Sequence, residues 1–149
     1  MVDLQPFFEI QERLFKRAGK IKKEITPLFP GYVFVESELS GRDFLIRTRD
    51  LMRVSCAVVG LLRYSDTEVA MRESERQILL CLCDGGNCIK SSSGIIEKDR
   101  ILITEGPLKG LESIVHKVDR HKRRAYIEIE FMGENRMISV PLQIMQKLK

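Results

Sequence analysis

One stretch constrains the fold more than any other. From Arg124 to Phe131 polar and apolar residues alternate without a slip, placing Ala125, Ile127, Ile129 and Phe131 on one face and Arg124, Tyr126, Glu128 and Glu130 on the other. A period of two belongs to a strand with one buried face, because successive side chains of an extended backbone point to opposite sides. The neighbouring sequence reads the same way. Asp99–Thr104 alternates with Ile101 and Ile103 on one face, Gly106-Pro107 opens a turn that Gly110 closes, and Ser113–Val118 supplies a second strand. Gly133-Glu134-Asn135 turns the chain back into Met137–Val140, and Leu142–Met145 adds a short last strand. Four or five short strands in about fifty residues predict a small barrel.

The preceding part mixes strands with helices. Phe8, Ile10 and Leu14 alternate with Glu9, Gln11 and Arg13, Arg17–Lys20 makes a glycine-containing turn, and Ile21–Ile25 returns as a hairpin arm. Leu28-Phe29-Pro30-Gly31 breaks the ladder, since proline donates no hydrogen bond, and Tyr32–Val35 follows as a strand with Tyr32 and Phe34 on one face. Ser40 or Gly41 caps a helix over Arg42–Leu51, Val58–Tyr64 reads as a short apolar strand, and Glu73–Cys83 carries Ile78, Leu79 and Leu82 at helical spacing before Gly85-Gly86. Small polar residues from Asn87 to Gly94, with three consecutive serines, read as a linker. The expectation is an α+β chain in two parts, residues 1–88 and 98–149, joined by a linker at 89–97.

Several function classes fall away. The longest apolar run, Ala57–Leu62, is too short to span a bilayer, the N-terminus lacks a basic region before an apolar one, and no glycosylation sequon occurs, so a cytoplasmic protein is expected. Cys56, Cys81, Cys83 and Cys88 lack the paired C-x₂-C spacing of zinc knuckles, and Cys81 and Cys83 continue an apolar run, so neither a metal site nor a disulfide is expected. Gly106–Gly110 fails the phosphate-loop spacing, there is no G-x-S-x-G elbow, and His116 and His121 have no partner nucleophile. Neither enzymatic activity, a cofactor nor a small-molecule substrate is expected.

Charge gives the positive lead. Between Lys109 and Arg124 lie six cations and two anions, a local excess that equals the net charge of +4 carried by all 149 residues. A basic stripe on a near-balanced protein points to a polyanion such as nucleic acid; a solvated charged loop is the alternative.

Two segments carry a family resemblance. Asp99–Val115, with Gly106-Pro107-Leu108-Lys109-Gly110 at its centre, resembles the KOW motif, and Pro27–Val35 resembles the signature of the NusG N-terminal domain. In order and spacing they are similar to NusG-type factors over nearly the whole chain. The resemblance implies an N-terminal NGN domain, an α/β sandwich with an antiparallel sheet, followed by an SH3-like small β-barrel, the KOW domain. Asp119–Ala125 and Glu128–Phe131 are most similar to the LoaP group of specialised antiterminators. By that likeness the N-terminal domain binds the clamp of RNA polymerase through Phe29, Tyr32 and Phe34. The barrel binds a structured RNA such as a hairpin through Lys109, Lys117, Arg120, His121, Lys122, Arg123 and Arg124. Family alternatives are a general adaptor whose barrel takes a ribosomal or termination protein, and a ribosome-associated KOW protein. The chain departs from the pattern twice. Ser113 stands where the KOW motif has glycine, so its turn has to form without easy access to positive φ. The first strand and helix of the N-terminal domain have no counterpart before Leu4, which leaves that sheet with open edges.

Overall fold

A computed structural model of the chain describes residues 5–149. Strand β1 (Gln5–Phe7) pairs antiparallel with β4 (Phe34–Glu36), and between them β2 (Ile10–Arg17) and β3 (Lys20–Pro27) form a hairpin. Its turn is Ala18-Gly19, both at positive φ, the two-residue geometry whose twist matches that of the flanking strands. Helix α1 (Gly41–Val54) starts at Ser40, whose hydroxyl accepts from the Asp43 backbone N–H at 3.4 Å, and α2 (Glu73–Leu82) follows. The chain then turns on Asp84, whose carboxylate accepts from the backbone N–H groups of Gly86 and Cys88 at 2.9 and 3.2 Å. Strand β5 (Cys88–Ile89) lies parallel to β2, giving the sheet order β3-β2-β5.

The second part is one five-stranded sheet, built from β6 (Ser92–Glu97), β7 (Arg100–Glu105), β8 (Val115–Asp119), β9 (Arg124–Phe131) and β10 (Glu134–Leu148) in the order β7-β6-β10-β9-β8. Ala125, Ile127, Ile129 and Phe131 are all buried, as the alternation of β9 requires. The turn before β8 is a 3-10 turn over Glu112–Ile114, which needs no positive φ; Gly110 carries that conformation instead, at +83°. Ser113 is thereby accommodated.

Three local expectations are corrected. Residues 92–97 are not a linker but strand β6, parallel to β10 with Leu142 opposite Ser92. The serines are small because the packing there is close. Ser92 is fully buried, its hydroxyl accepts from the Leu108 N–H at 3.1 Å, and its Cα sits where a side chain on Gly106 would begin. Met137–Val140 and Leu142–Met145 are not two strands but parts of one; β10 runs through Pro141 and changes partner there, leaving β9 at Pro141 opposite Arg124 and joining β6 at Leu142. A residue with no N–H is tolerated where the ladder changes hands. Val58–Tyr64 is irregular rather than extended in a sheet, and Val58, Val59 and Leu62 are exposed.

The core is shared by both parts of the chain. Leu28, Phe29, Leu79, Leu82 and Ile89 pack in one cluster with Ile103, Leu108, Ile127, Phe131 and Leu142. Phe29 stacks on Phe131 with ring centres 4.4 Å apart, an arrangement worth about 0.5–1.5 kcal/mol beyond the area it buries. Polar ties cross the same boundary. The buried Glu75 carboxylate on α2 accepts from the N–H groups of Met132 and Gly133 at 3.0 and 2.8 Å, holding the β9–β10 turn. Glu12 of β2 accepts from the Ser91 N–H at 2.8 Å. Among the described residues no helix is long and apolar enough to cross a membrane.

Candidate nucleic-acid interface

The basic residues expected to bind RNA fall in and around the turn between β8 and β9. The Asp119 carboxylate accepts from the Lys122 N–H at 2.9 Å, and the Arg123 N–H donates to the Arg120 carbonyl at 3.3 Å, so the backbone of the turn is pinned. Aspartate favours such turns because its short side chain reaches the backbone two or three residues on. Arg120, His121 and Lys122 are exposed at the tip. Arg123 is half-buried in the left-handed region, and its guanidinium donates to the His121 carbonyl at 3.3 Å.

Arg124 is placed differently. It opens β9, lies half-buried, and its guanidinium donates to Gln11 Oε1 at 2.9 Å, to the Ser139 carbonyl at 2.7 Å and to the Ser139 hydroxyl. It therefore ties β2 to β10 as well as contributing charge. Burial, and then the neighbouring charge of Arg13, hold its pKa below the ordinary guanidinium value.

The turn faces β2 across an open trough of about 1220 Å³, lined by Arg120–Arg124 and Tyr126 on one side and by Arg13, Phe15, Lys16 and Thr26 on the other. Sequence reasoning missed this second wall, because Arg13 and Arg124 are brought together only by the tertiary packing of β2 on β10. Lys109 and Lys117 are not part of the trough. Lys109 is exposed in the Gly106–Gly110 turn, and Lys117 lies with its ammonium 5.9 Å from the centre of the Tyr126 ring. His116 is also apart, with Nε2 at 2.9 Å from a Glu128 carboxylate oxygen.

The three aromatics expected to contact a polymerase do share one cluster. Phe34 lies 5.8 Å from Phe29 and 5.6 Å from Phe7, and both Tyr32 and Phe34 meet the Phe131 ring edge-on at 6.1 Å. Phe29 is a core residue, only 6% exposed, whereas Tyr32 and Phe34 are half-buried and keep part of their surface accessible. In this arrangement the sheet of the second part covers one side of the cluster.

Cys83 donates to the buried Glu9 carboxylate at 2.9 Å; burial foremost, then that hydrogen bond, push the Cys83 thiol far above its ordinary pKa. Burial likewise raises Glu9, against the lowering effect of the same bond. Among the described residues no three of His, Cys, Asp and Glu come together in a way that could hold a metal ion.

Comparison with known proteins agrees with the reading of the N-terminal motif at Pro27–Val35. The family described as "Transcription termination factor nusG" matches residues 4–80. Over 144 residues the chain is 25% identical to the transcription termination/antitermination protein NusG of Pasteurella multocida (strain Pm70), an alignment covering 97% of this chain and 75% of that protein. With more than half of its length matched by the family, the chain belongs to the NusG family of transcription termination and antitermination factors.

Proposed function

We propose that this NusG-family chain is an antitermination and elongation factor of the LoaP type, binding RNA polymerase through the aromatic cluster of its N-terminal part and a structured RNA through its C-terminal sheet. One observation carries the RNA reading: five consecutive residues, Arg120–Arg124, bear four fixed cations and a histidine on a turn whose backbone is pinned by Asp119. A held turn presents its charges to a phosphate backbone without first having to be ordered, and arginines can also stack on unpaired bases or fork onto guanine edges. Tyr32 and Phe34 are the accessible part of the polymerase contact, with Phe29 supporting them from the core.

The test is filter binding of the full chain to a hairpin RNA across a salt series. Neutralising three or four phosphates gives a slope of log affinity against log salt of about −2 to −4. Replacing Arg120, Lys122 and Arg123 together by glutamine should remove most of that slope; unchanged binding would make the stripe a solvated face. A second reading has its own support. Leu102, Met137 and Met145 are exposed on the C-terminal sheet, as an adaptor for a ribosomal or termination protein would need. Salt-insensitive RNA binding together with capture of such a protein would favour it.

A further inference from the structure

The RNA-binding reading placed every contact on the C-terminal sheet, yet the trough has two walls. Its second wall comes from β2, more than a hundred residues earlier in the chain, and contributes Arg13 and Lys16. Among the described residues, the lining holds six fixed cations and no carboxylate. Such a concentration is electrostatically unfavourable while the trough is empty of anions. Arg124 is held there by Gln11 and Ser139, which are neutral acceptors, with Arg13 close enough for its charge to bear on it. Arg13 does have a carboxylate neighbour, Glu24 of β3 at 3.0 Å. Both side chains of that pair are about half exposed, however, and pairs of this kind exchange readily for a better anion.

We propose that this trough is a single site for an unpaired stretch of RNA, with Arg13 and Lys16 gripping the backbone from one side and the Arg120–Arg123 turn from the other. The proposal rests on the RNA-binding reading and extends it to the N-terminal part of the chain. Three features favour an unpaired strand. At about 1220 Å³ the trough exceeds the usual 300–1,000 Å³ of small-ligand pockets and is open along its length, which suits a chain. Half-buried Phe15 and Tyr126 line it between the cations, and aromatic rings set among cations are what unpaired bases stack on. A paired A-form stem hides its base faces and offers such rings nothing to stack against. The occupant is therefore a loop or bulge of the structured RNA, with the stem left outside.

The experiment uses the full chain and three probes: a hairpin with a uridine-rich loop, the blunt duplex of its stem, and polyglutamate as a competitor. Wild-type protein should prefer the looped hairpin to the duplex by at least about tenfold. The double variant Arg13→Gln/Lys16→Gln, at two exposed positions where folding is not at stake, should bind the hairpin about tenfold more weakly. Its salt slope should be flatter by about 1–1.5, roughly 0.7 per single-strand phosphate lost. Tyr126→Leu should weaken the hairpin by a similar factor with the slope unchanged. In wild type, bromouridine in the loop should photocrosslink to Phe15 or Tyr126. If the Arg13/Lys16 variant binds like wild type while the Arg120/Lys122/Arg123 variant does not, the turn alone is the site and the two-walled trough is wrong. If neither set matters, the RNA-binding reading itself fails. Crosslinks only elsewhere, or competition by polyglutamate as strong as by RNA, would likewise overturn the assignment.

Discussion

Replacing Glu75 by alanine tests the polar clamp between the two parts of the chain. The side chain is 1% exposed, and its carboxylate receives the Met132 and Gly133 N–H groups and the Tyr64 hydroxyl. Removing it leaves three donors without their acceptor. An abandoned buried donor costs about 1–3 kcal/mol, and hydrogen bonds to a charged group sit at the upper end. Met132 is only half-buried and Gly133 exposed, so water can reach both amides and the lower end applies to them. The sum is about 3 kcal/mol, a large part of the 5–15 kcal/mol that holds a typical domain. In urea, with a slope of about 1.5–2 kcal/mol/M, the midpoint should fall by about 1.5–2 M. Glu75→Gln keeps one acceptor oxygen but turns an amide N–H₂ toward a donor, and should lose about half as much. Circular dichroism through a urea titration reads both. A midpoint for Glu75→Ala within about 0.3 M of wild type would refute the clamp, because ordinary surface substitutions stay within about 0.5 kcal/mol.

Other consequences follow from the same contacts. Residues 91–149, which include β6, should give a dispersed amide spectrum, whereas 98–149 should not, because β10 then loses the partner of its second half. Glu9→Gln should stabilise the chain at neutral pH. A carboxyl whose folded pKa is raised favours the folded state only while protonated, so wild type loses stability as pH rises from about the ordinary value of 4.5 through the folded one; the advantage of the variant should vanish in urea titrations below that window. Tyr32→Ala/Phe34→Ala should abolish capture of RNA polymerase while leaving hairpin affinity within about twofold, with a folded spectrum as the control.

What the sequence made legible was what local chemistry decides. The alternation of Arg124–Phe131, the Ser40 cap and the glycine at the Arg17–Lys20 turn each act within a few residues, and each appears where periodicity and turn rules put it. Ser92 and Pro141 were misread because their neighbours in space outweigh their neighbours in sequence. A serine run looks like a linker until Gly106 is seen to press against it, and a proline looks like a stop until the strand is seen to change partners. The candidate site was half legible for the same reason. Cations crowded between Arg120 and Arg124 are visible as a stripe, while Arg13 and Lys16 sit in an ordinary amphipathic strand until packing brings them opposite that stripe. Phe29 shows the reverse case: a motif residue expected at an interface that the shared core takes in.

The central claim, that this NusG-family chain acts on transcription through a basic RNA site, is tested most directly by single-round transcription across a terminator. The template should encode the hairpin ahead of the terminator, and purified polymerase should be assayed with wild-type chain or with the Arg120→Gln/Lys122→Gln/Arg123→Gln variant. The account predicts that wild type raises read-through only on templates encoding the hairpin, and that the variant does so by less than about a tenth as much, a difference of about 1.4 kcal/mol in RNA affinity or more being enough to separate them. Equal read-through by the two proteins, or read-through indifferent to the hairpin, would contradict it.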